Sequence, residues 1–385
     1  MSTKKSMRSI MARITGQHRP RLTIRPDYDY VFVSGSGEDA KGQYLRGKLS
    51  LFIPEGQNIT SVQLKLTSRM WLGLARELTV TIRDHKVDAE EAVKWQRGES
   101  TVHQWKPFNV NDKIGEPFKN GKNFEWAFEL FIRGDQEESF KGCTRCSITY
   151  LLEAWTVDGN SSNSFKTFSP IRIIRTPGFS SYELMDPTTV QGKWSEKAEY
   201  NVSIRHRAIA LGGLIPIEAH LAPLDPAAKI TQARFFLREK HDVANEPDVE
   251  EPGYEGQRIV TEWPLELSDE PQQRWQQCLH LPIAVRNCSP DFSVCGVSIS
   301  HSLHFEATIT NNGVTTEEEI SMPIHLFISP ELPVNGWGVF VRDHVIAAKE
   351  VKSLLAEGIS VPPKYCKGDF VVEDHEVPPP AYSEA

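Results

Sequence analysis

The chain has 385 residues, of which 39% are hydrophobic and 24% charged, an ordinary globular balance with length for two domains. Its formal net charge is −8, yet residues 1–26 hold seven basic side chains and no acid, which leaves −15 on the remainder. A body that acidic argues against nucleic acid as the main partner, because a phosphate backbone needs a basic face.

The basic arm, residues 1–20, reads as a mitochondrial presequence, a membrane-surface contact or, the favoured reading, a disordered tail, and has too few apolar residues for a secretory signal. No apolar run reaches the ~18–20 residues of a membrane-spanning helix, so a soluble protein is expected. Beyond the arm the text reads as strands. Leu22–Arg25 and Tyr30–Val33 are short and β-branched or aromatic. Tyr44–Ile53 alternates through Leu45, Leu49 and Leu51, and Ile59–Leu66 repeats the pattern with Val62, Leu64 and Leu66. Leu78–Ile82 is a further short strand. Lys86–Trp95 is the one helical candidate here, with Asp88 and Glu91 at capping-box spacing. In Phe124–Ile132 the residues Phe124, Trp126, Phe128, Leu130 and Ile132 share one face. Cys146–Val157 and Lys166–Arg175 follow as strands.

A connector opens at Thr176-Pro177-Gly178 and closes at Pro187. A second strand series then runs through Glu199–Ile209, Gly213–Leu221, Ile230–Glu239, Arg258–Leu267, Leu303–Thr310 and Ile320–Ile328. Asn311-Asn312-Gly313 is a hairpin signal between the last two. His241–Gly256, with six acids and no lysine or arginine, reads as a charged surface excursion. Turn signals at about ten-residue intervals predict β-sandwiches. The expected organisation is two sandwiches in series, at 21–178 and 192–330, with a tail at 331–385. Within that tail Asp343–Glu357 has the spacing of one amphipathic helix, and the last twenty-five residues have no core-forming pattern.

The chemistry-bearing residues are sparse. The six cysteines are spread widely and read as reduced thiols. Cys143-Thr144-Arg145-Cys146 lacks the second close pair of a structural zinc site, and it opens a strand where a redox motif would open a helix. His301 and His304, three apart on a strand, fall on opposite faces and cannot ligate together. Neither a phosphate-binding glycine loop nor a nucleophile or metalloenzyme signature is present, so no catalysis, cofactor or metal is expected. Arg175 falls on the face of Ile171 and Ile173. It is either a snorkelling surface arginine, the plainer reading, or a residue with a buried polar partner.

The tail carries the pattern Pro-Pro-x-Tyr twice: Pro362, Pro363 and Tyr365, then Pro379, Pro380 and Tyr382. Each proline pair is fixed near polyproline II, so little entropy is lost on binding, and the tyrosine adds an aromatic anchor at a set distance. Aromatic-lined WW grooves bind such ligands.

With these motifs the chain resembles the α-arrestins of the fungal type. In the first half the resemblance rests on Gly42-Gln43-Tyr44-Leu45-Arg46-Gly47-Lys48-Leu49 followed by Ile59–Leu66, and on Ser147–Ala154. In the second half it rests on Tyr200–Ile204, Leu211–Ile217, Leu221–Leu224 and Lys229–Glu239. The resemblance implies an all-β protein: two arrestin-like, immunoglobulin-type β-sandwich domains in tandem, with disordered tails. It implies an adaptor without catalysis that works in the cytoplasm, with peripheral and transient association at the plasma membrane and endosomes. Its implied partners are a WW-domain HECT-family ubiquitin ligase, taken up by the six motif residues, and an integral membrane transporter or receptor as cargo. The alternative is a structural arrestin-fold trafficking or coat scaffold that acts without a ligase.

Overall fold

Alternating apolar residues dictate strands, and the computed structural model forms them across both halves. It describes residues 20–337 apart from 55–58, 84–85, 110–117, 119–120, 142–145, 159–164, 196, 244–253, 283–286 and 295. The first half holds β1 (Arg21–Pro26), β2 (Tyr30–Ser34), β3 (Gln43–Ile53), β4 (Ile59–Arg83) and β5 (Lys86–Gln104). It continues with β6 (Lys122–Ile132), β7 (Phe140–Lys141), β8 (Cys146–Asp158) and β9 (Lys166–Thr176). One sheet is ordered β1-β3-β6 and the other β2-β9-β8-β4-β5, with β7 paired to β8. The inward residues of both sheets fill a single core. Leu45, Leu49 and Leu51 from β3 meet Val62, Leu64 and Leu66 from β4 and Ile171 and Ile173 from β9. The face read from Phe124 to Ile132 is the inward one, with Phe128 and Ile132 buried.

The helix expected at Lys86–Trp95 is a strand instead. Its ladder with β4 runs from Arg83↔Lys86 to Lys65↔Gln104, one long hairpin. Capping-box spacing is a local preference, and a cross-strand ladder outweighs it.

A short 3-10 segment, Phe179–Met185, fills the connector. The second half holds β10 (Thr188–Trp194), β11 (Ala198–Ile204), β12 (Ala208–Ala210), β13 (Leu214–Pro223) and β14 (Ala228–Val243). After these come β15 (Tyr254–Pro264), β16 (Gln273–His280), β17 (Phe292–Val294), β18 (Val297–Asn311) and β19 (Val314–Phe327). The sheets are β10-β11-β13-β16 and β12-β19-β18-β14-β15, with β17 paired to β18. Between them Val202, Ile217, Leu221, Phe235, Leu237, Leu303 and Phe305 form a second core. Among the described residues no ladder joins a strand before Phe179–Met185 to one after it.

The β18–β19 turn has Asn312 at φ 51° and Gly313 at φ 81°, the left-handed pair that a tight hairpin needs. The supposed excursion at His241–Gly256 is strand at both ends. His241↔Gly256 and Val243↔Tyr254 are ladder pairs of β14 and β15. Sequence reading also passed over β10, β16 and β17. Their polar outward faces dilute the alternation: Gln273–His280 buries only Gln273 and Leu279.

The two halves share core. Phe292, Val297 and Ile299 of the second join the first core, and Phe140 stacks on Phe292 with ring centroids 4.3 Å apart. In return Ile174 of β9 enters the second core, on the strand face opposite Ile171 and Ile173. β9 is therefore buried on both sides at the seam.

Candidate functional site

Pro362, Pro363, Tyr365, Pro379, Pro380 and Tyr382 lie outside the described residues, as do Asp343–Glu357 and Cys143. Two polar clusters, one partly buried and one centred on a fully buried carboxylate, lie at and behind the seam.

The first is built on β9. Arg175 is partly buried and donates three hydrogen bonds to backbone carbonyls: Nη1 to Gly35 O at 2.5 Å and Gly134 O at 2.8 Å, and Nη2 to Gln136 O at 2.6 Å. The plainer reading of Arg175 as a surface residue is therefore overturned. Its guanidinium fork clamps the turn after β2 to the segment between β6 and β7. Three carbonyls at one point in the fold need donors, and the Arg175 guanidinium arriving from β9 supplies them.

Glu138 lies beside it. Burial pushes the Glu138 carboxyl up to about 7, against the opposing pull of Arg175, its backbone N–H, Arg172 and His325. Arg172 is 4% exposed, on the Ile174 face of β9. Burial lowers it to about 10, and Glu138 partly restores it. Its Nε and Nη2 atoms have no hydrogen-bond partner among the described residues. An under-satisfied guanidinium beside an incompletely ionised carboxyl is a costly arrangement held in place by the surrounding core.

The second cluster centres on Glu239. In register, Glu239 faces Arg258 on β15 and His301 on β18. Its Oε1 accepts from Arg258 Nε at 2.7 Å and contacts His241 Nε2 at 2.6 Å. Its Oε2 accepts from the Ser289 N–H at 3.0 Å and contacts His301 Nε2 at 3.2 Å. The other ring nitrogen, His301 Nδ1, lies 2.6 Å from Asp291 Oδ1. Asp291 also accepts the Leu326 N–H at 3.0 Å and pairs with His325 at 3.4 Å.

Burial would raise the Glu239 carboxyl, but bonds from His241, His301, Arg258 and Ser289 hold it far below its ordinary range. Burial would lower His301, but Asp291, Cys288 and Glu239 outweigh it and hold the ring well above its usual value. Burial raises the Cys288 thiol. The donor atoms of Glu239, Cys288 and His301 all lie within 4.8 Å of one another, a set able to hold a metal ion.

His301 and His304 do occupy opposite faces, His304 pairing with Glu319 and Ser302 away from the Glu239 cluster. Glu138, Arg172, Glu239, Cys288 and Asp291 escaped the sequence reading. A signal existed for one of them: Glu239 continues the inward face of Phe235 and Leu237, where a lone carboxylate demands partners.

The second of the tandem sandwiches has a known counterpart: residues 194–331 match the family model of the arrestin (or S-antigen) C-terminal domain. The chain is 27% identical to the probable HECT-type ubiquitin ligase-interacting protein creD of Aspergillus fumigatus, over 95% of this chain and 61% of that protein. It is likewise 27% identical to the HECT-type ubiquitin ligase-interacting protein creD of Emericella nidulans, over 96% of this chain and 62% of that relative. The match to the Aspergillus terreus protein of that name is 26%, over 96% and 64%. The chain thus spans about three fifths of the length of these curated relatives. Together these findings support the resemblance of the chain to the α-arrestins of the fungal type.

Proposed function

We propose that this chain is a ubiquitin-ligase adaptor. It links a WW-domain HECT ligase, bound through Pro362, Pro363, Tyr365, Pro379, Pro380 and Tyr382, to plasma-membrane transporters or receptors, which are then ubiquitinated, endocytosed and sorted. It acts from the cytoplasm, is recruited to the plasma membrane and endosomes, and has no catalysis of its own. The observation that carries the reading is the doubled Pro-Pro-x-Tyr pattern in a chain whose relatives are named for interaction with a HECT-type ligase.

Spacing adds a physical reason. Thirteen residues separate Tyr365 from Pro379, four of them acidic (Asp369, Glu373, Asp374 and Glu376). A flexible chain of that length spans about 20 Å, and roughly 45 Å when extended. That reach suits two WW domains held in one ligase, where intramolecular capture of the second would multiply single-site affinity by about 10²–10⁴.

The test is a pull-down of tandem WW domains by the full chain, beside ubiquitination of the adaptor in cells. Tyr365→Ala or Tyr382→Ala alone should weaken binding, and the double variant should abolish it. A double variant that binds and is ubiquitinated like the parent would leave the ligase-independent scaffold as the better reading.

A further inference from the structure

We propose that Glu239, Cys288 and His301 form a zinc site that fastens the loop carrying Cys288 and Asp291 onto the β14–β18 ladder. Sequence alone sets His301 beside His304 on opposite strand faces and gives no reason to expect a metal. Tertiary structure supplies different neighbours.

The donor set comes first. A carboxylate, a thiol and an imidazole, all buried, point their ligand atoms to one place within 4.8 Å. One edge of that triangle, Glu239 Oε2 to His301 Nε2, is 3.2 Å. Neighbouring donors on a tetrahedral zinc ion, with bonds of about 2.0–2.3 Å, sit roughly 3.3–3.7 Å apart. Mixed sulfur, nitrogen and oxygen donors suit zinc, whereas calcium and magnesium take oxygen alone.

Orientation is the second observation. Asp291 holds His301 Nδ1 at 2.6 Å and is itself tied to the Leu326 N–H at 3.0 Å. This fixes the ring so that Nε2 faces Glu239 and Cys288. A carboxylate behind a ligating imidazole is the usual outer shell of a zinc site. Glu239 and His301 are register partners, so the ladder presets two ligands and the loop brings the third. The Cys288 thiol lies against His301 and makes a long contact of 3.9 Å to the Ser289 carbonyl. Arg258 and His241 contact Oε1, while Oε2 accepts the Ser289 N–H and is the oxygen that faces His301.

Binding forms bonds from zinc to the Cys288 sulfur, the His301 nitrogen and the Glu239 oxygen, and any proton held on those atoms is released to solvent. The consequence lies at the seam. Phe292, four residues beyond Cys288, stacks on Phe140 of the other half. An ion that pins the loop also seats that contact.

The experiment uses the full chain. Elemental analysis after gel filtration should give about one zinc per chain. The chelator-stripped protein should take up cobalt(II) with a thiolate-to-cobalt charge-transfer band. Cys288→Ser, shown folded by circular dichroism, should lose that band and at least tenfold of zinc affinity. Cys278→Ser, at an exposed cysteine, and the Cys143→Ser, Cys146→Ser double variant should keep both. If Cys288→Ser does not fold, X-ray absorption of the wild-type zinc protein decides the matter: one sulfur among nitrogen and oxygen donors supports the site. Two or more sulfurs, no uptake at micromolar zinc, or an unchanged cobalt band in folded Cys288→Ser would overturn it.

Discussion

Arg175→Ala removes a single guanidinium that serves three backbone carbonyls, those of Gly35, Gly134 and Gln136. Each hydrogen bond from a charged donor is worth about 1.5–3 kcal/mol net, but three bonds from one group do not add, and water reaches part of this site. The charge of Arg175 also opposes the effect of burial on Glu138, so its loss leaves that carboxyl worse placed. We therefore expect a destabilisation of about 3 kcal/mol, or roughly 6–12 °C in the unfolding midpoint of the first sandwich. Urea unfolding followed by tryptophan fluorescence and far-UV circular dichroism would measure it. Arg175→Lys keeps the charge but not the fork and should fall between alanine and wild type. An Arg175→Ala variant within about 0.5 kcal/mol of wild type would refute the clamp and return Arg175 to the surface reading.

Glu138 should make stability pH-dependent. Its folded value of about 7 lies above the ordinary 4.5, so between the two the folded chain keeps a proton that the unfolded chain releases. Its contribution is fully present below about 4.5 and is lost as pH rises through about 7. Glu138→Gln should thus gain about 1–3 kcal/mol on wild type between pH 4.5 and 8, and urea midpoints that keep a constant offset would contradict this. Phe292→Ala removes a 4%-exposed ring from the Phe140 stack. It should cost about 3–5 kcal/mol and split calorimetric unfolding into two transitions, whereas one unshifted transition would show that the halves are coupled elsewhere. Gly47→Ala would place a Cβ 2.6 Å from both the Arg25 carbonyl and the Phe128 ring, and 2.7 Å from Pro26 Cα. A loss of about 1–3 kcal/mol is expected in thermal melts, and an unchanged melting point would mean that β1 and β6 can part freely at this position.

Period-two alternation in Tyr44–Ile53, Ile59–Leu66 and Phe124–Ile132 was enough to determine strands and their inward faces, because a strand's sides are set by covalent geometry alone. The Asn312-Gly313 turn was legible for the same kind of reason, since left-handed φ restricts which residues serve. The Pro-Pro-x-Tyr pairs are legible too, as proline presets its own backbone. Tertiary structure alone decided the rest. Lys86–Trp95 is a strand because β4 offers it a ladder partner, a fact not contained in its own capping spacing. Arg175 draws its three acceptors from residues 39 to 140 positions away, and Glu239 meets His301 across 62. Local pattern carries no record of such separations. A buried charge announces that it needs a partner, and only the packing of two sandwiches determines which residue arrives.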